Sequence, residues 1–135
     1  MLKRANRKQQ TSGDRPKLPR ISEETKRLSA LIEVEVLRRP GVVTRPMFGL
    51  NGLYRGRKIF AVLPRTRAMD VADSIAFRLP SRPQRIVTRL RTDRRIIFPE
   101  TDAKWISFII ESDADIHDAL HWLEFAYREA GKPSR

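Results

Sequence analysis

The stretch KIFAVL, Lys58–Leu63, constrains the fold most. Its apolar side chains follow one another without polar alternation. A strand of that kind has both faces covered and lies inside a sheet. Its partners must come from nearby sequence. IAFRL at 75–79 alternates, with Ile75, Phe77 and Leu79 on one face and Ala76 and Arg78 on the other. VVTRPMF is extended, and Pro46 assigns it to an edge or a bulge, because proline has no N–H to give a ladder. LNGLY holds Asn51-Gly52, a dipeptide suited to a tight hairpin turn. RRIIF and KWISFIIE read as two more strands, the second with Ile106, Phe108 and Ile110 on one face.

Helices bracket these strands. Ser22 can cap the first, with Glu23 and Glu24 at the positive end of its dipole. Leu28, Leu31 and Ile32 repeat at helical spacing. EVEV at 33–36 blurs that period, and Pro40-Gly41 ends the element. A short helix follows Ser81 or Arg82, with Pro83 in its first turn. Ile86, Val87 and Leu90 form its apolar stripe, and Arg82, Arg85 and Arg89 lie beside them. The last helix is capped by Ser112 or Asp113 and stopped by Gly131 and Pro133. Ile116, Leu120, Leu123 and Tyr127 make its core arc. Trp122 and Phe125 leave that arc, so either the helix packs on two sides or they form a partner surface, such as that of a homodimer. The expected class is α+β: an antiparallel sheet flanked by N- and C-terminal helices.

With 135 residues, the chain has room for one domain and a tail. Residues 21–131 are the expected domain, and 132–135 a short C-terminal tail. Residues 1–20 have almost no apolar content and carry seven Lys or Arg against one acid. Such a segment reads as a disordered basic arm. There is no cysteine, hence no disulfide framework, thiolate metal site or cysteine nucleophile. Apolar runs are too short to span a bilayer, and no apolar segment follows the basic N-terminus, so the expected location is the cytoplasm, away from any membrane.

Charge is unevenly distributed. The net +12 hides a basic middle: residues 38–95 hold fifteen bases and three acids, whereas residues 96–135 hold four bases and eight acids. A basic stripe is the electrostatic footprint of a polyanion such as DNA or RNA. The candidate contacts are Arg55, Arg57 and Lys58 at a hairpin, Arg82, Arg85 and Arg89 on the short helix, and Arg94 and Arg95, with Arg91, in the turn after it. The alternative is that these cations are solvated, with their stems leaning on apolar surface. Tyr54 has a ring suited to stacking on a base or to packing in the sheet.

Other patterns carry less chemistry. Gly49, Gly52 and Gly56 match neither the dinucleotide nor the P-loop spacing, and the residues after them form a strand, so they read as turn and bulge glycines. His117 and His121 are one helical turn apart, and Glu124 and Arg128 continue their stripe. Without HExxH or a third ligand, this is a solvated polar face and not a metal site. Asp113, Asp115 and Asp118 complement a helix dipole. No acid–base or nucleophile constellation emerges, so neither an enzyme nor a cofactor is expected.

RPMFGLNGLYRGRKIFAVL resembles the R-x-M-F-G-G-x-G-[LVI]-Y…F-A-L pattern of the TfoX N-terminal domain. KWISFIIESDADIHDALHWLEFAYREA is similar to the closing strand and helix of MmcQ/YjbR proteins, and to a luciferase-like domain of unknown function. The similarity covers about residues 40–130. It implies a compact α+β domain with a double-wing, DNA-binding-like arrangement. Leu50 stands where the pattern has a second glycine, and the resemblance supplies no catalytic residue. The resulting expectation is a small binding protein that grips nucleic acid with little sequence selectivity. The other reading is a module for an anionic metabolite or for protein contact, with a pocket on the concave sheet face.

Overall fold

In the computed structural model, residues 18–98 and 104–133 are described. The expected tails at 1–20 and 132–135 therefore lie mostly outside the described residues. Helix α1 spans Glu23–Val36. The Ser22 hydroxyl accepts from the Thr25 N–H at 3.1 Å, as a helix cap should. Asp73 accepts from the Ser22 N–H at 3.0 Å and from the Thr25 hydroxyl at 2.7 Å, tying this cap to the sheet. Leu28, Ile32 and Val36 are buried, but Leu31 is exposed. EVEV continues the helix, because Ile32 and Val36 keep the four-residue spacing that reaches the core.

Strands β1 (Val42–Met47), β2 (Leu50–Arg55), β3 (Lys58–Pro64), β4 (Ser74–Arg78), β5 (Ile96–Ile97) and β6 (Trp105–Ile109) form one sheet. The order is β1-β2-β3-β4-β6-β5, antiparallel throughout. The KIFAVL strand is central, as its continuous apolar run requires, and Pro46 lies on the edge strand. The first hairpin turn is not Asn51-Gly52. Met47 pairs with Leu50, so Phe48-Gly49 makes the two-residue turn, with φ of 50° and 84°. Two positive φ angles fit the mirror-type turn that hairpins favour. A Cβ on Gly49 would meet Thr66 Oγ1 at 2.7 Å, and the Gly49 carbonyl accepts from the N–H groups of Arg65, Thr66 and Arg67. This crowding outweighs the local preference of Asn-Gly for a turn.

Helix α2 spans Gln84–Thr92, after Pro83 in the capping position, and α3 spans Ile116–Ala130 after a single tight turn at Asp113–Asp115. All three helices contribute to the core on one side of the sheet. The buried face of α3 is Ala119, Trp122, Leu123, Ala126 and Tyr127. The expected arc is therefore rotated: Ile116 and Leu120 are only partly covered, and Trp122 turns inward. The Trp122 ring stacks on Phe77 with centroids 5.8 Å apart, and Tyr127 meets Phe60 edge-on at 5.7 Å. The alanines at 119 and 126 let the helix approach the sheet closely enough for these rings to interdigitate. Burying a side chain such as Leu123 contributes about 2 kcal/mol.

Among the described residues, no helix covers the other face of the sheet. Leu50, Val62 and Ala76 form a small second cluster there, with Leu18 packed against it. The entering chain is held on this side: Arg20 bridges to Arg67, and the Arg67 guanidinium donates to the Leu18 carbonyl at 2.9 Å. Among the described residues no helix is long and apolar enough to cross a membrane.

Candidate nucleic-acid interface

A trench runs along α3, between it and α2, and on past the ends of β3 and β4. Its first stretch is lined by Arg89, Arg94, Asp118 and His121. The next has Arg85, His121, Phe125 and Arg128. The last has Lys58, Arg78, Glu129 and Lys132. His121 borders the first two, and Ser81, Glu129 and Lys132 border the last two, so the stretches are continuous. Cations separated in sequence thus reach one feature because α3 is long enough to touch both the β2–β3 hairpin and α2.

The expected contacts divide into three kinds. Arg57, Arg85 and Arg94 are exposed, and Arg85 and Arg94 line the trench. None of the three forms an ion pair among the described residues. Arg89 has no carboxylate there either: its guanidinium lies 2.9 Å from His121 Nε2 and 5.1 Å from the Trp122 ring centroid. Burial chiefly, and then the Arg89 charge, lowers the His121 pKa from its ordinary value. A neutral His121 accepting from Arg89 fits that direction.

Arg55, Lys58 and Arg82 are held by backbone. Arg55 donates to the Tyr127 carbonyl at 3.1 Å and lies 4.1 Å from the Tyr127 ring centroid, and a side chain on Gly131 would collide with it. It seals the end of α3. Lys58 Nζ donates to the Lys132 carbonyl at 2.9 Å, and Arg82 Nε to the Leu79 carbonyl at 3.0 Å. Part of the donor capacity of all three is thereby spent.

Arg95 is the third kind. Its guanidinium donates to Asp93 at 2.8 Å, Asp115 at 2.9 Å and Asp118 at 2.7 Å, and lies 4.7 Å from the Phe108 centroid. Its charge is more than balanced. The Arg95 hydrogen bonds hold Asp93 below its ordinary pKa. Burial pushes Asp115 up, but hydrogen bonds from the Glu111 N–H, Arg95 and the Ser112 N–H outweigh it and leave the carboxyl low. Arg95 itself is pushed up, first by its bond to Asp93. This is a structural clasp joining β5, α2 and the start of α3. Arg95 borders the first stretch of the trench, but its guanidinium is consumed by this clasp. The helix-dipole reading of Asp113, Asp115 and Asp118 is incomplete for the same reason: two of them grip Arg95, and Asp113 pairs with Arg27 of α1.

Trp122 is nearly fully buried and shows only an edge to the first stretch of the trench, whereas Phe125 keeps more of its ring accessible further along. Arg128 and Lys132 were missed as trench residues. Their spacing of four at the end of α3 and just beyond it was the available signal, but each pairs with a glutamate of α3, Arg128 with Glu124 and Lys132 with Glu129. No family model, no curated protein and no solved structure matches this chain.

Proposed function

We propose that the protein binds nucleic acid with little sequence selectivity, using the cations of α2 and the trench on phosphates. One observation carries the reading: Arg85, Arg89 and Arg94 stand along one helix and its following turn without a carboxylate partner among the described residues. Exposed guanidiniums without an acidic partner are suited to bidentate contact with phosphates, which releases the counterions of the nucleic acid. The net +12, with six Lys or Arg and one Asp among residues 1–17, raises the long-range attraction. The resemblance to the TfoX and YjbR group points the same way. Phosphate neutralisation is the whole mechanism; no bond is made or broken.

Fluorescence anisotropy with duplex and single-stranded oligonucleotides, read across a salt series, tests this. Affinity should fall steeply with salt, with a slope of about 0.9 per phosphate contacted on duplex DNA. Absence of binding at low salt ends the proposal. An anionic metabolite as the true ligand of this trench would instead saturate at one molecule per chain, and no oligonucleotide would bind.

A further inference from the structure

The face of the sheet without helices has a different chemistry from the trench. The six strands contain no Asp or Glu. Strand register assigns the outward positions, since paired residues share a face. Val43 pairs with Tyr54, Tyr54 with Ile59, and Arg78 with Trp105. Tyr54, Ile59, Arg78 and Trp105 thus form one row across β2, β3, β4 and β6. At about 4.8 Å per strand, the two aromatic rings are roughly 14 Å apart. All four side chains are only partly buried. Beside this row runs a second one of small residues, Gly52, Val62, Ala76 and Ser107. A Cβ on Gly52 would meet Met47 Cε at 2.7 Å and Tyr54 Cε1 at 3.0 Å. The small row is therefore a floor, and the aromatic row stands above it.

Resting on the nucleic-acid reading above, we infer that this open face is a stacking platform for unpaired bases of a single strand. Aromatic rings on an open sheet take bases by their π-faces, whatever the base, and arginines beside them meet the backbone. Arg45 already lies 5.0 Å from the Tyr54 centroid, in the place a base or a phosphate would contest. Among the described residues, the outward charges on the strands are Arg45 and Arg78, both positive, and Arg78 stands where this face meets the last stretch of the trench. The chain enters this face at Leu18, and the seventeen residues before it hold six Lys or Arg and one Asp. A duplex keeps its bases stacked on one another and has no free π-face to offer, so the two surfaces differ in what they select: the trench takes phosphates of either form, the sheet takes open strands.

Tryptophan fluorescence of the full chain separates these. Trp122 is nearly fully buried but borders the trench beneath Arg89, so quenching that survives in Trp105→Phe reports the trench and quenching lost in that variant reports the sheet face. The probes are oligothymidylate, oligouridylate, a duplex of equal length, and inorganic polyphosphate as a polyanion without bases. Either single strand should quench Trp105; duplex and polyphosphate should not. Tyr54→Ala should weaken single-strand binding roughly 5- to 100-fold and leave duplex affinity within about twofold. Trp105→Phe should abolish that quenching and retain most of the affinity. If the alanine variant fails to fold, Arg45→Glu, at an exposed edge-strand position, asks the same question. The two single strands differ both in sugar and in the thymine methyl, and a response to either supports the platform. Binding without quenching of Trp105, unaltered in Tyr54→Ala and Arg45→Glu, overturns the platform and leaves the trench standing. No binding by any oligonucleotide overturns both.

Discussion

The trench along α3 has more cations than the open sheet face, yet the sheet face is the more purely positive. Around the trench, Glu124 accepts from Arg39 and Arg128, Glu129 from Lys132, and three aspartates surround Arg95. On the sheet face, two arginines stand with no acid on any strand. Balance, rather than density, distinguishes a cation available to a ligand from one consumed by the fold. The acids of the last third of the chain are spent on the helix side because α3 begins there. Its first turn presents aspartates where Arg95 arrives from α2.

The largest effect should come from the most balanced cation. Arg95→Ala strands Asp93 and Asp115, whose side chains are only 20% and 14% exposed. Breaking a buried pair costs about 3–5 kcal/mol; at this partial exposure the loss should be about 2 kcal/mol. Urea unfolding measures it, and nucleic-acid affinity of the folded variant should stay within about twofold. Arg94→Ala, one residue away, should change stability by less than about 0.5 kcal/mol. If Arg95→Ala instead weakened binding and spared stability, the division between consumed and available cations would be wrong.

The clasp also predicts a pH dependence. Asp93 and Asp115 both titrate below their ordinary value of 3.8 in the folded chain. A carboxylate lowered by folding adds stability at pH above its unfolded value, and that stability drains away as pH falls through the folded value. The wild-type protein should therefore lose stability as pH drops below about 4. Arg95→Ala should show a shallower loss over the same range, because the chief lowering partner of Asp93 is gone.

Next in size is the trench itself. Replacing Arg85, Arg89 and Arg94 by glutamine removes three candidate phosphate contacts. The salt slope on duplex should fall by up to about 2.7, and affinity at low salt should fall roughly 10- to 100-fold. Melting temperature should hardly move, since none of the three makes an ion pair among the described residues. A full loss of slope with Arg57→Gln alone would shift the phosphate site to the β2–β3 hairpin.

Much of the architecture was legible from periodicity. The alternation at 75–79 and 106–110 placed Ile75, Phe77, Ile106 and Phe108 on the helix side, where all four are fully buried. The failures have local causes. Asn51-Gly52 is a good turn by composition, but Gly49 and its carbonyl must accommodate the chain at 65–67, a long-range demand that no dipeptide reveals. Trp122 was read as facing away because Ile116 and Leu120 drew the arc toward themselves; the small Ala119 and Ala126 define the true contact line. For the site, the α2 arginines were visible as a stripe, whereas the fate of Arg95 depended on aspartates twenty and twenty-three residues downstream. Arg45 and Trp105 were visible as letters, but only strand register joins them to Tyr54 and Arg78 on one face.

The gentlest perturbation tests the sheet half of the comparison most directly. Val43 is 44% exposed on the edge strand and pairs with Tyr54, so a polar side chain there disturbs no core. Stability should change by less than about 0.5 kcal/mol. Val43→Glu puts a glutamate whose Cβ is about 5 Å from the Tyr54 Cβ, with its carboxylate free to reach the end of the row. A unit charge at 4–6 Å in water is worth about 0.7–1 kcal/mol to a phosphate drawn to that end of the row, or roughly three- to fivefold in affinity. Single-strand binding should weaken by that factor, duplex binding should not, and the difference should shrink as added salt shortens the screening length below about 10 Å. Val43→Lys should strengthen single-strand binding by a similar factor. The pair matters more than either variant alone: a steric effect would move both in one direction, whereas a strand lying across Tyr54 must answer to the sign of the charge.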